Sequence, residues 1–210
     1  YGHINIVRTF AAAQPFSLQK GETAIIDFGQ NFAGWIKFKV KGSSGTKMRA
    51  RFAEMLNDSG ESGRGNDNAK GTVYLKNLRS AKATLNYILK GDVAGETFNP
   101  SMTFFGFRYC ELTATENIDF EYVNGEVVGN ANEENASFTT NNEIINKLYS
   151  NIIWGQRSNF LSVPTDCPQR DERLGWMGDT QIFSRAAAYN ADVVSFFNKW
   201  AKDVLDSQQP

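Results

Sequence analysis

Trp35-Ile36-Lys37-Phe38-Lys39-Val40-Lys41 is followed by Gly42-Ser43-Ser44-Gly45 and then by Thr46-Lys47-Met48-Arg49-Ala50-Arg51-Phe52. Both flanks alternate apolar and basic residues without a break, which is the period of a half-buried strand, and the Gly/Ser cluster is a turn signal. The stretch predicts a hairpin with one apolar and one basic face. Further strand candidates lie outward from it at 23–28, 83–89, 103–113 and 119–128, separated by Gly, Asn, Asp and Pro clusters. Many short strands with such punctuation predict an antiparallel β-sandwich.

The basic row (Lys37, Lys39, Lys41, Lys47, Arg49, Arg51) reads as the solvated side of these strands rather than a nucleic-acid patch, with Asp119 and Glu121 available to neutralise it. The whole chain of 210 residues carries 22 Lys plus Arg against 23 Asp plus Glu, so no global charge favours a nucleic-acid partner. No apolar run reaches the roughly 18 residues of a membrane helix, and YGHINIVRTF lacks the layout of a signal peptide. The Gly-, Asn- and Asp-rich segment 57–71 predicts a long surface loop. Its Asn57, Asp58, Glu61, Asn66 and Asp67 offer oxygen ligands but lack the spacing of a calcium loop.

From about residue 139 the period changes. Asn141 or Asn142 is a good N-cap for a helix carrying Ile144, Ile145, Leu148, Tyr149, Ile152 and Ile153 at helical spacing. A second helix is predicted from about Asp179 to Tyr189 and a third from Asp192 to about Gln208. The domains are therefore expected at 1–134, a sandwich, and 135–210, helix packed on helix.

The chemistry-bearing segment lies between the first two helices: Val163-Pro164-Thr165-Asp166-Cys167-Pro168-Gln169-Arg170-Asp171-Glu172-Arg173-Leu174-Gly175-Trp176-Met177-Gly178-Asp179. The single histidine, His3, and two cysteines, Cys110 and Cys167, leave no His-based nucleophile pair or zinc cluster, so catalysis falls to carboxylates. Sequence alone leaves a Cys110–Cys167 bridge open. Three uses of the segment compete. Cys167 and Arg173 have the spacing of a phosphatase cradle, but Asp171 and Glu172 would repel a dianion. An ion-pair network of Arg170 and Arg173 with Asp166, Asp171 and Asp179 would pin a loop and do nothing else. Glycoside hydrolysis needs one protonated carboxyl and a second carboxylate, a pair whose repulsion keeps an acid protonated, and an aromatic face on which a pyranose packs.

The run DCPQRDERLGWMGD (166–179), preceded by Val-Pro, closely resembles the signature of bacterial α-L-rhamnosidases, inverting glycoside hydrolases with an (α/α)6 barrel. Upstream, DFGQNFAGWIKFKVKGSSGTKMRARFAEML (27–56), Asn77-Leu78-Arg79 and FFGFRY (104–109) resemble the β-sandwich that precedes that barrel. The resemblance implies a mixed fold, an antiparallel β-sandwich followed by the first helices of an (α/α)6 barrel. It implies Glu172 as general acid, Asp166 and Asp179 as ligands of rhamnose hydroxyls, Arg170 as a partner in that binding network and Trp176 as an aromatic wall. No metal and no cofactor is implied, and the partner is a rhamnose-containing oligosaccharide, polysaccharide or glycoside.

The general base is implied beyond residue 210. A barrel of about twelve helices needs on the order of two hundred residues; the 72 from 139 onward supply only its opening. A start at Tyr1 without Met fits the same expectation: a fragment, inactive by itself. A periplasmic or secreted setting is slightly favoured over a cytoplasmic one, and nothing indicates the oligomeric state. A non-catalytic carbohydrate-binding or scaffold module is the rival function.

Overall fold

A computed structural model describes residues 4–11, 14–63 and 65–208, so His3 lies outside the described residues. The chain divides into two compact units, Arg8–Val127 with Gln169–Asp171, and Tyr1–Val7 with Val128–Pro168 and Glu172–Pro210. Among the described residues, eight strands form one antiparallel sheet: β1 (Ile4–Ala11), β2 (Phe16–Leu18), β3 (Thr23–Gly42), β4 (Lys47–Ala53), β5 (Thr84–Ile88), β6 (Glu96–Phe98), β7 (Phe105–Ala114) and β8 (Ile118–Asn130). Their order is β1-β8-β3-β7-β4-β5, with β2 also on β8 and β6 also on β3.

The alternation at 35–52 is realised: Ile36, Phe38, Val40, Met48, Ala50 and Phe52 are buried, and the intervening basic residues are exposed or half-buried. The expected hairpin is not. β3 pairs with β8 over Gly34–Gly42 and with β6 over Phe38–Val40, whereas β4 pairs with β5 and β7. With both edges of the second half of β3 filled, the Gly/Ser turn delivers β4 to a different neighbour. Glu121 neutralises the basic row as expected, at 2.7 Å from Lys39, and Arg51 reaches Glu111 at 2.6 Å. Asp119 instead accepts from the Ser17 hydroxyl.

The sheet curls over an aromatic core, joining the two layers of the expected sandwich through shared strands. Tyr87 of β5 is three strands from β3 in the order, yet its ring lies 5.4 Å from that of Phe38. Phe28, Phe32, Phe52 and Phe107 interlock in the same core with centroid separations of 4.6–5.9 Å, geometry that adds to the stabilisation from burial alone. β3 bulges between Asp27 and Phe32. The Asp27 carboxylate accepts from the Gly29 amide at 2.7 Å and from two nitrogens of Arg108, both at 2.7 Å, which fixes the bulge. Gly29 has φ +75°, a conformation that favours glycine.

The 57–71 segment is mostly exposed, but its ends are tied. The Asn57 amide is buried and donates to Thr72 Oγ1 and the Val73 carbonyl, and Asp67 accepts from the Leu75 and Lys76 amides. These oxygens are thus engaged by the loop's own frame.

The second unit contains α1 (Glu143–Asn159), the short strands β9 (Phe160–Leu161) and β10 (Val163–Pro164), α2 (Met177–Asn190) and α3 (Val194–Ser207). Asn142 caps α1, its Oδ1 accepting from the Ile144 and Ile145 amides. The apolar stripe that marks α1 in the sequence is largely exposed, Ile144 to 81%. The core lies elsewhere, where Phe160, Ala187, Ala191, Val193 and Phe196 cluster, with the Phe160 and Phe196 rings stacked at 4.4 Å. Cys110 and Cys167 remain thiols; Cys110 is buried, and burial pushes its pKa up. No helix among the described residues is long and apolar enough to cross a membrane.

Buried Glu96 supplies a test of the sheet core. It accepts from the Tyr87 hydroxyl at 2.6 Å and from the Lys90 and Gly91 amides. Burial opposes its ionised form, but these donors outweigh it and hold its pKa below the usual carboxylate range. Burial, then Glu96, pushes the Tyr87 pKa up to about 12. The depressed carboxyl stabilises the fold at pH above its unfolded pKa, a contribution lost as pH falls through its folded value; the raised phenol stabilises below its unfolded pKa and is lost as pH rises towards about 12. Denaturant unfolding followed against pH should therefore show stability falling at both extremes, with Tyr87→Phe flattening both limbs.

Candidate active site

The segment 163–179 begins on a tight ribbon. Val163 pairs with Leu161, and Ser162 turns between them at φ +67°, its amide donating to Asn130 Oδ1 at 3.0 Å. The Thr165 amide and hydroxyl both donate to the Asn159 carbonyl at the end of α1, at 2.9 and 3.1 Å. At the other end the Trp176 amide donates to the Pro164 carbonyl at 3.2 Å, and Trp176 stands at the N-cap of α2. Arg173 Nη2 donates to the Pro168 carbonyl at 2.6 Å, so the loop is drawn together across 169–172. Pro and Gly forbid a continuous helix here, and these bonds satisfy part of the backbone that a helix would have satisfied.

Within this frame Asp166, Cys167 and Glu172 converge, with one ligand-capable atom of each within 4.8 Å of the others. They are the one group of His, Cys, Asp or Glu side chains among the described residues with the spacing for a metal ion. The Cys167 thiol donates to Asp166 Oδ2 at 3.0 Å. A carboxylate beside the sulfur is the reverse of a phosphate cradle.

Asp166 reaches from this cluster into a cavity of about 550 Å³, lined also by Gln156, Asn159, Thr165, Asp179 and Phe183. Of the five residues picked from sequence, the cavity wall takes Asp166 and Asp179. Asp179 lies in the first turn of α2, where the helix dipole favours an anion. Glu172 joins through the cluster with Asp166. Trp176 lies outside the wall, its indole nitrogen buried without a hydrogen-bond partner among the described residues.

Arg170 belongs with Gln169 and Asp171 to the sheet unit. Asp171 accepts from the Ser80 hydroxyl, which, with backbone amides and the charge of Arg79, holds its carboxyl below the usual range. Glu54, just after β4, is pushed up by burial, against which an Asn31 hydrogen bond and the charge of Arg170 act.

Sequence reading missed the amide-bearing wall. Gln156 and Asn190 are buried and bonded, Asn190 Nδ2 donating to Gln156 Oε1 at 2.8 Å and Gln156 Nε2 to the Ala187 carbonyl at 3.2 Å, so that α1 and α2 are fixed beside the cavity. The available signal was polar residues at the end of an apolar helix next to the segment, which is also how an ordinary frayed terminus reads.

A model of the bacterial alpha-L-rhamnosidase concanavalin-like domain matches residues 17–129, and one of the bacterial alpha-L-rhamnosidase 6 hairpin glycosidase domain matches residues 133–210. The alpha-L-rhamnosidase of Streptomyces avermitilis is 45% identical over 185 residues, 88% of this chain and 17% of that protein. The alpha-L-rhamnosidase structure from Dictyoglumus thermophilum matches all of this chain and 22% of its own, at 40% identity and a TM-score of 0.85. The Streptomyces avermitilis alpha-L-rhamnosidase complexed with L-rhamnose matches 99% of this chain and 19% of its own, at 42% identity and a TM-score of 0.84. The chain thus spans about a fifth of the length of these relatives.

The loop exit into α2 depends on Gly175. A methyl group there would lie 2.1 Å from Cη2 of Trp200 on α3, so glycine is required for space. Gly175→Ala should destabilise by about 1–3 kcal/mol, read by denaturant unfolding, with a shift in tryptophan fluorescence as the Trp200 indole is displaced.

Proposed function

The chain belongs to the bacterial α-L-rhamnosidase family, and from that premise we propose that it carries the acid side of a glycosidase site that hydrolyses terminal, non-reducing α-L-rhamnose with inversion. Glu172 gives its proton to the glycosidic oxygen as the bond from that oxygen to the anomeric carbon breaks. A water, giving up a proton to a base, attacks the same carbon from the opposite face and yields β-L-rhamnose and the free aglycone. In inverting glycosidases the acid and base carboxyls stand about 6.5–9.5 Å apart, leaving room for that water. The base is assigned to no residue of this chain.

The observation that carries the reading is the convergence of Glu172 and Asp166 at one end of a cavity whose wall also holds Asp179. At about 550 Å³ the cavity falls within the roughly 300–1,000 Å³ of small-molecule sites. We assign Asp166 and Asp179 to accept from sugar hydroxyls; Trp176 does not line this cavity, so the aromatic contact implied for it has no support in the cavity wall. Hydrogen-bonded specificity of this kind suits a neutral sugar and needs no net charge on the protein.

In an active polypeptide containing these residues, ¹H NMR of an aryl α-L-rhamnoside undergoing hydrolysis should show the β-anomer of L-rhamnose forming first. Early appearance of the α-anomer would overturn inversion. Asp179→Asn should raise KM by about tenfold, the scale of one lost charge-assisted hydrogen bond; an unchanged KM would remove Asp179 from the sugar.

A further inference from the structure

We infer that the sheet unit is a positioning device for the acid-bearing loop: the Gly106 backbone, the Glu54 carboxylate and the Ser80 hydroxyl hold the consecutive residues Gln169, Arg170 and Asp171 and so fix where Glu172 begins. The inference rests on the acid role proposed above for Glu172, and it extends that role to residues that touch no substrate.

Two contacts meet on the loop, at Gln169 and at Asp171, and a charge interaction acts on Arg170 between them. At Gly106, near the start of β7, an added Cβ would lie 2.7 Å from the Gln169 amide nitrogen and 2.9 Å from its Cα. Gly106 has no left-handed backbone to explain it, so its role is to let two backbones touch. Glu54 is half-buried and doubly held, Oε1 accepting from Asn31 Nδ2 at 2.8 Å and Oε2 from Asn77 Nδ2 at 3.2 Å, while the charge of Arg170 acts on the same carboxyl. The Ser80 hydroxyl donates to Asp171 Oδ2.

The elements that supply these groups are built for the purpose. Asn31 sits in the β3 bulge, which turns it out of the regular pleat. Asn77 lies in a 3-10 turn at Lys76–Leu78, and Ser80 follows two residues after that turn. Between them Arg79 takes φ +56°, a costly conformation for a non-glycine residue that persists only where its surroundings dictate it. One short turn thereby presents one residue to Glu54 and another to Asp171.

Fixing Asp171 constrains Glu172 directly, since consecutive Cα atoms are about 3.8 Å apart. A displacement of about 1 Å at a reacting group can cost about a hundredfold in rate. Glu54 and Ser80 are thus positioning residues for the acid.

The test is hydrogen exchange on the chain together with steady-state kinetics in an active polypeptide containing it, for Glu54→Gln and the milder Ser80→Ala. Glu54→Gln should speed amide exchange in 165–176 by about tenfold without a comparable change in β3 or β7. It should lower kcat by about tenfold to a hundredfold and leave KM within about twofold, and Ser80→Ala should move both in the same direction by less. Faster exchange spread evenly over the sheet, or unchanged loop exchange in both variants, would overturn the anchoring. So would a change in KM at constant kcat. If the loop loosens as stated and the parent polypeptide has no α-L-rhamnosidase activity, the anchoring stands and the functional reading falls.

Discussion

At Gly106 strand β7 comes so close to the backbone of Gln169 that a single methyl group would separate them. That contact depends on where β7 lies, and β7 is set by β3, to which it pairs from Thr23 to Asp27 and again from Phe32 to Gly34. The β3 bulge that interrupts this ladder also supplies Asn31 to Glu54. Sheet register and loop placement are therefore one constraint: a slip of β3 against β7 by one residue would exchange its faces, bury the lysines, and move Gly106 away from Gln169.

The strands were legible because burial on one face imposes period two on the sequence, as at Ile36, Phe38 and Val40. Their partners were not legible. The turn at 42–45 looks like a hairpin, yet what excludes β4 from β3 is the arrival of β6 and β8, encoded more than fifty residues downstream. The helices were read within a few residues of their ends because Asn142 is a good cap and the apolar period changes. Exposure of Ile144 and Leu148 could not be read, since spacing marks a face and not what covers it.

At the site, residue types alone pointed to a loop with four carboxylates, Asp166, Asp171, Glu172 and Asp179, which an ion-pair network could also use; the choice of Glu172 as acid and of Asp166 and Asp179 as sugar ligands came from the resemblance. Composition could not separate Arg170 and Asp171 from their neighbours, although the chain assigns those two to the sheet unit. Asn31, Glu54, Asn77 and Gly106 all lie in stretches that stood out in sequence, yet no single one carries a chemical signature. Their meaning appears only when the fold brings them to the same three loop residues.

The central claim is that Glu172 protonates the departing oxygen, and the most direct measurement is kcat/KM for a series of aryl α-L-rhamnosides of rising aglycone pKa. It would compare an active polypeptide containing this chain with its Glu172→Gln variant. An acid catalyst evens out leaving groups, so the account predicts a shallow dependence in the parent and a steep one in the variant, with the worst leaving groups losing most. Parallel dependences, with the variant uniformly slower or no slower at all, would contradict it.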